Sequence, residues 1–182
     1  CYAYYNPSKN DISNAKSSLK TKIDKYSKRE VSKNNIVLGA GCSLSLYFSV
    51  MAVIGSEENY ILMPRPSFPL ITAFCQTNGR MPLFYDLDAD KNWEIDIEGL
   101  RATLNEYGSK IKAIVINSPA NPCGNVFSKA HVQDISKLLE NYDLTIISDD
   151  TYEEMTFKGV KYYPIISENT KNSIFLCSGL SK

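Results

Sequence analysis

Two nearly unbroken apolar stretches decide the fold: Ile-Lys-Ala-Ile-Val-Ile-Asn at residues 111–117 and Leu-Thr-Ile-Ile-Ser-Asp at residues 144–149. Each stretch carries apolar residues at both odd and even positions and ends in polar residues. Such a pattern predicts a strand that is buried on both faces, which is typical of the centre of a parallel sheet.

Other apolar runs predict further strands at Ile36–Leu38, Asn59–Met63, Met81–Tyr85 and Ser173–Cys177. Amphipathic runs predict helices at Ile12–Ser27, Ser43–Ile54, Ser67–Asn78, Ile97–Tyr107 and Lys129–Asn141. Asp96 and Ser128 are suited to cap the last two helices, and Gly55 and Gly108 stand where helices should end. The alternation predicts an α/β fold, with a mostly parallel sheet and helices on both faces.

Composition bounds the class of protein. A chain of 182 residues with 43% hydrophobic and 22% charged residues is expected to fold as one globular domain. The 20 basic and 20 acidic residues cancel, so no overall charge attracts nucleic acid or an anionic membrane. No run approaches the roughly 18 apolar residues that a membrane span needs. We therefore expect neither nucleic acid nor a membrane as a partner, and we interpret the basic residues between Lys16 and Lys33 as a solvated helix face, with nucleic-acid contact as the alternative.

Cysteine and histidine usage argues against metal and disulfide scaffolds. The 5 cysteines are scattered without a Cys-x-x-Cys pair, and the chain has 1 histidine. We expect no metal site and a reducing compartment. The sequence begins at Cys1 without an initiator Met or a signal pattern, so we expect that residue 1 is not the natural start. The cytoplasm is the expected location, and a mitochondrial one stays open.

Polar residues follow several predicted strands, at the edge where open α/β sheets bind ligands. Asp149 directly follows a buried strand, and a buried carboxylate needs a cation or a strong donor. Tyr152 follows it, Asn121 lies in a stiff Asn-Pro loop, and Lys182 lies beyond the last strand, where an amine can become a nucleophile. Taken singly, these residues are also consistent with a helix cap, a plain turn and a surface lysine.

Two turns add to this edge. Gly39-Ala40-Gly41 precedes a helix, and backbone N–H groups at such a turn can bind a phosphate. The turn lacks the third glycine of a dinucleotide fingerprint and the Gly-Lys-Ser/Thr of a P-loop. Phe68 follows two prolines and is expected near the mouth of the sheet, with a core position as the alternative.

In this order the motifs resemble the pyridoxal-phosphate-dependent aminotransferases of the aspartate-aminotransferase-like fold, most closely their tyrosine-aminotransferase branch. The resemblance covers about residues 36–182. It rests on Gly41-Cys42-Ser43, Pro64-Arg65-Pro66-Ser67-Phe68, Trp93-Glu94-Ile95-Asp96, Asn121-Pro122-Cys123-Gly124 continuing to Lys129, Asp149-Asp150-Thr151-Tyr152, and Ser178 to Lys182.

The resemblance implies pyridoxal 5'-phosphate as cofactor and assigns roles to these residues. Lys182 would bind the cofactor's aldehyde carbon and move a proton during the reaction, while Asp149 would pair with the pyridine nitrogen. Tyr152 and Asn121 would hydrogen-bond the phenolic oxygen, and Phe68 would stack on the ring. The resemblance further assigns the phosphate to Gly41, Cys42, Ser43 and Ser178, with Tyr5 reaching the phosphate of a neighbouring subunit.

The same resemblance implies a domain plan. Residues 1–35 would lead into a cofactor-binding large domain at 36–182, which is incomplete at its C-terminus because the family's later arginines and most of its small domain lie downstream. A homodimer is expected. The sequence departs from the family at Gly179, where many relatives have Ser, and at Asp150, where Glu is usual.

The implied function is transfer of the amino group of an amino acid, aromatic and tyrosine-like, to a 2-oxo acid such as 2-oxoglutarate. The 182-residue piece alone is not assured of activity, since it lacks those downstream residues. Lyase or cyclopropane-forming chemistry on the same scaffold stays open, as does a non-catalytic copy that acts as an assembly partner. A nicotinamide dehydrogenase is disfavoured because its fingerprint is missing.

Overall fold

The computed structural model describes residues 9–55 and 58–182, with only the backbone of Lys9. Within them a six-stranded sheet has the order β3-β2-β1-β4-β5-β6. The β2–β3 pair is antiparallel and the other neighbouring pairs are parallel, which confirms the predicted α/β class. The strands are β1 Tyr60–Arg65, β2 Leu83–Asp88, β3 Glu94–Ile95, β4 Ile111–Asn117, β5 Thr145–Asp149 and β6 Ile174–Cys177.

The helices are α1 Lys9–Ile23, α2 Cys42–Val53, α3 Leu70–Thr77, α4 Ile97–Tyr107 and α5 Lys129–Leu139. The bounds of α4 are those predicted, and the other helices are shifted or shortened by a few residues. Ser128 caps α5, since its Oγ accepts a hydrogen bond from the His131 amide. Asp96 stands at the N-cap of α4, but its side chain makes no capping hydrogen bond.

The core lies in two layers, one on each face of the sheet. In β4, Ala113 and Val115 face the cluster formed with α2 and α3. Ile114 and Ile116 face the larger cluster formed with α4 and α5. Full burial of a Val or Ile side chain contributes about 1.5–3 kcal/mol. Helices on both faces therefore explain why the run at residues 111–117 is apolar throughout.

Two strand predictions require correction. The predicted strand Ile36–Leu38 is wrong: the segment pairs with no strand among the described residues, and Val37 is 84% exposed. The short strand β3 was not predicted, because it is created by a reversal in which Asn92 and Trp93 both adopt positive φ angles.

The topology brings the carboxyl ends of β1, β4, β5 and β6 to one edge of the sheet, which is where the sequence predicts the site. Among the described residues, no helix is both long and apolar enough to cross a bilayer.

Candidate active site

The site is centred on Asp149, the last residue of β5. Its register partners are Asn117 at the end of β4 and Cys177 at the end of β6. The side-chain amide of Asn117 donates to the Asp149 carbonyl over 2.9 Å, and its Oδ1 accepts from the Asn121 amide over 2.8 Å. Asn117 thus fixes the ends of two strands and the loop that follows β4.

The Asp149 carboxylate is held on one side. Its Oδ1 accepts from the Thr151 hydroxyl at 2.7 Å and from the Thr151 amide at 3.3 Å, and the Cys42 thiol lies at 3.9 Å. Burial raises the pKa of Asp149, and the hydrogen bonds from Thr151 and Cys42 oppose that rise. No cation among the described residues pairs with this carboxylate. It is therefore a partly buried acid that suits a cationic ligand atom.

A helix N-terminus lies beside this carboxylate. Helix α2 begins at Cys42, and Gly41 takes the N-cap position with a φ of 87°, a conformation that favours glycine. Ser43 lies exposed in the first turn. Burial raises the pKa of Cys42 to about 11, so its thiol stays neutral near Asp149. The first amides of α2 carry partial positive charge and can receive an anion.

Gly179 keeps the space before this helix open. A Cβ at Gly179 would lie 3.4 Å from the Cβ and 3.7 Å from the amide nitrogen of Cys42. A side chain larger than a methyl group at this position would extend over the N-terminus of α2. The Ser178 hydroxyl donates to Glu153 Oε1. Contact between Ser178 and a phosphate therefore stays a prediction.

Asn121 and Tyr152 lie together, as predicted: the Asn121 side-chain amide is 3.3 Å from the Tyr152 hydroxyl. The loop that carries Asn121 is closed by two backbone hydrogen bonds, from Gly124 to the Ala120 carbonyl at 2.8 Å and from Ala120 to the Asn125 carbonyl at 3.0 Å. These two hydrogen bonds fix the conformation of the loop, and the hydrogen bond from the Asn121 amide to Asn117 connects the loop to β4.

The remaining predicted residues are less constrained. Phe68 is 55% exposed in the loop between β1 and α3. Lys182 is exposed beyond β6 and makes no hydrogen bond or ion pair with the described residues. Both follow strands that end at the Asp149 edge. Tyr5 lies outside the described residues, so its predicted role stays a prediction.

Three residues that position the site were not predicted as site residues: Asn117, Thr151 and Glu153. Asn117 could have been found because it ends a buried strand. Thr151 could have been found because a hydroxyl two residues after an Asp is typical of local turns. Glu153 had no such signal. Residues 151–154 form a turn rather than a helix, so the alternative in which Asp149 caps a helix is wrong.

Comparisons with known proteins agree with this geometry. The profile of the family "Aminotransferase class I and II" matches residues 9–182. Tyrosine aminotransferase of Mus musculus is 36% identical over 148 residues, covering 81% of this chain and 32% of that protein. Aspartate aminotransferase of Bacillus sp. (strain YM-2) is 29% identical over 183 residues, covering 100% of this chain and 45% of that protein.

Solved structures show the same fold. Tyrosine aminotransferase from Leishmania infantum has a TM-score of 0.83 at 28% identity, covering 93% of this chain and 46% of that one. Alanine aminotransferase from Pyrococcus furiosus has a TM-score of 0.84 at 23% identity, covering 92% and 41%. The chain spans from about a third to under half of the length of these relatives. The predicted aspartate-aminotransferase-like fold is confirmed, and the chain belongs to the class I and II aminotransferase family.

Proposed function

We propose that the protein containing this chain transfers the amino group of an amino acid to a 2-oxo acid, with pyridoxal 5'-phosphate as its cofactor. The observation that carries the proposal is the Asp149 carboxylate, which is partly buried, hydrogen-bonded through one oxygen, and paired with no cation among the described residues. Membership in the aminotransferase family supports it.

The residues present fit this cofactor at both of its ends. The N-terminus of α2, with the space that Gly179 leaves before Cys42, suits a phosphate. The raised pKa of Asp149, caused first by burial, suits a carboxylate whose cation arrives with the ligand, as a pyridinium N–H would. When bound, pyridoxal phosphate supplies a ring that takes up the electron pair released from the amino-acid α-carbon.

Each residue of the chain then has a defined task. Asp149 would hold the proton on the ring nitrogen, while hydrogen bonds from Thr151 keep its Oδ1 in place. Asn121 and Tyr152 present an amide and a hydroxyl, which would face the ring's phenolic oxygen. Lys182 Nζ would take the proton from the amino-acid α-carbon and pass it to the aldehyde-derived carbon of the cofactor, which would hold the amino group until the 2-oxo acid accepts it.

The substrate class follows from the relatives. The Mus musculus protein that is 36% identical is a tyrosine aminotransferase. We therefore propose an aromatic amino acid as donor and 2-oxoglutarate as acceptor. A homodimer is proposed as the working form, as expected for this family.

The test is an amino-transfer assay on the full-length protein supplied with pyridoxal phosphate. L-tyrosine, L-aspartate and L-alanine are each offered with 2-oxoglutarate, and glutamate is measured. We expect glutamate, formed fastest from L-tyrosine. Release of ammonia without glutamate would support a lyase instead, and no product from any pair would contradict the proposal.

A variant pair tests the part played by Asp149. Asp149→Asn keeps the shape but cannot balance a ring cation, so we expect turnover to fall by roughly 100-fold or more. Asp143→Asn alters an exposed carboxylate after α5 and should leave turnover unchanged. Normal turnover by Asp149→Asn would remove the proposed role of Asp149.

A further inference from the structure

Glu153 joins three elements of the fold. It lies in the turn after β5, and its side chain is only 7% exposed. Its Oε1 accepts a hydrogen bond from the hydroxyl of Ser178, in the segment after β6. The same oxygen lies 2.9 Å from Lys22 Nζ, on helix α1. One carboxylate oxygen thus connects helix α1 to the segment that leads to Lys182.

Lys22 is the cation of this group. It also pairs with Glu154 at 2.7 Å, although Glu154 is 74% exposed. Burial lowers the pKa of Lys22, but its hydrogen bonds with Glu154 and Glu153 outweigh that effect and raise it. The pKa of the nearby Tyr26 is raised by burial, then by the charges of Glu153 and Asp150. Two carboxylates, Glu153 and Glu154, therefore lie beside Lys22, which offsets their negative charge.

Glu153 also lies close to the space assigned to the phosphate. Its partner Ser178 directly precedes Gly179, the residue that abuts the first amide of α2. A buried carboxylate without its cation would repel an anion bound there, because low-dielectric surroundings screen the charge poorly. A charge on α1 can in this way affect a site built on β5, β6 and α2.

We propose that Lys22 and Glu153 form a positioning pair that makes α1 part of the cofactor site. Lys22 neutralises Glu153, and the site then accepts a phosphate beside Ser178 and Gly179. This inference rests on the proposed function, since it takes the phosphate of pyridoxal phosphate as the anion.

The test measures the dissociation constants of pyridoxal phosphate and of pyridoxal, which lacks the phosphate, by absorbance titration of the full-length protein. Lys22→Met leaves Glu153 charged and unpaired, and we expect pyridoxal phosphate to bind roughly tenfold more weakly while pyridoxal binding changes little. Glu153→Gln removes the charge and keeps an acceptor for the hydrogen bond from Ser178, so pyridoxal phosphate should bind no more weakly than to the wild type.

The double variant Lys22→Met with Glu153→Gln separates charge from structure. Removing the unpaired charge should restore the affinity for pyridoxal phosphate, although α1 still lacks its ion pair with residue 153. A merely structural role for Lys22 would show no such rescue. The matched controls are Lys20→Met, which removes a lysine of α1 that pairs with Asp24 just after the helix, and Glu154→Gln, which changes the exposed partner of Lys22. Both should bind like the wild type.

Two results would overturn the inference while leaving the proposed function intact: Lys22→Met binding like Lys20→Met, or a double variant as weak as Lys22→Met. A wild-type protein that takes up no pyridoxal phosphate would overturn the proposed function, and this inference with it.

Discussion

The side-chain amide of Asn117 donates a hydrogen bond to the main-chain carbonyl of Asp149 over 2.9 Å, so the end of β4 holds the end of β5. The opposite end of the same strand has a matching contact, since the Asn172 amide donates to the Leu144 carbonyl over 3.0 Å. Two asparagine side chains thus donate hydrogen bonds to backbone carbonyls at the two ends of β5. Of these two, Asn117 lies at the candidate site.

This symmetry gives a first prediction. Asn117→Ala and Asn172→Ala should each lower the free energy of unfolding by about 1–3 kcal/mol, because each leaves buried backbone carbonyls with fewer donors. Only Asn117→Ala should weaken pyridoxal phosphate binding, because only Asn117 positions Asp149 and Asn121. Denaturant unfolding and cofactor titration measure the two effects. Equal cofactor affinity in the two variants would show that Asn117 serves the fold alone.

A second prediction concerns the buried neighbour Asp150. Burial raises its pKa from 3.8 to about 7, although the Ser148 hydroxyl, at 2.6 Å from its Oδ1, opposes the rise. A folded-state pKa above the unfolded value means that the folded protein binds the proton more tightly. The contribution of Asp150 to stability is therefore present at low pH and is lost as the pH rises toward and through 7.

Asp150→Asn should remove this pH dependence, because Asn imitates the protonated acid. Relative to the wild type, its free energy of unfolding should rise by about 2 kcal/mol between pH 5 and pH 8. Urea unfolding at several pH values measures the difference, with the exposed Asp143→Asn as control. A constant difference between Asp150→Asn and the wild type would mean that Asp150 is ionised throughout this range.

A third prediction concerns the space before α2. Gly179→Val would place a branched side chain against Cys42, where even a Cβ lies 3.7 Å from the amide nitrogen. We expect pyridoxal phosphate affinity to fall by roughly tenfold or more, because an anion at a helix N-terminus loses its access to the amides. The free energy of unfolding should change by less than about 1 kcal/mol, since Gly179 has no positive φ to lose. Unchanged cofactor affinity in Gly179→Val would place the phosphate elsewhere.

The fold could be predicted where local sequence carries the determining interactions. The run at residues 111–117 meets apolar layers on both faces, and its predicted bounds are those observed. The segment Ile36–Leu38 has a similar apolar character, but a strand needs a neighbour, and a local pattern does not identify one. Strand β3 is too short for any periodicity and depends on the reversal at Asn92 and Trp93.

The site could be predicted in outline for a related reason. Adjacent parallel strands end at one edge, so Asn121, Asp149 and Tyr152 were expected together. The role of Asn117 could not be predicted, because it depends on the β4–β5 register that places Asn117 opposite Asp149. It also depends on the direction of the Asn117 side chain, which packing sets. The Lys22–Glu153 contact joins residues 131 positions apart in the sequence, and no local signal marks it.

The most direct test of the central claim is to trap the cofactor on its lysine. The full-length protein is mixed with pyridoxal phosphate, reduced with borohydride, digested, and mapped by peptide mass spectrometry, with Lys182→Arg as control. We expect a single stoichiometric adduct on Lys182 that is absent from the Lys182→Arg variant. An unmodified protein, or adducts spread over other lysines and unchanged in Lys182→Arg, would contradict it.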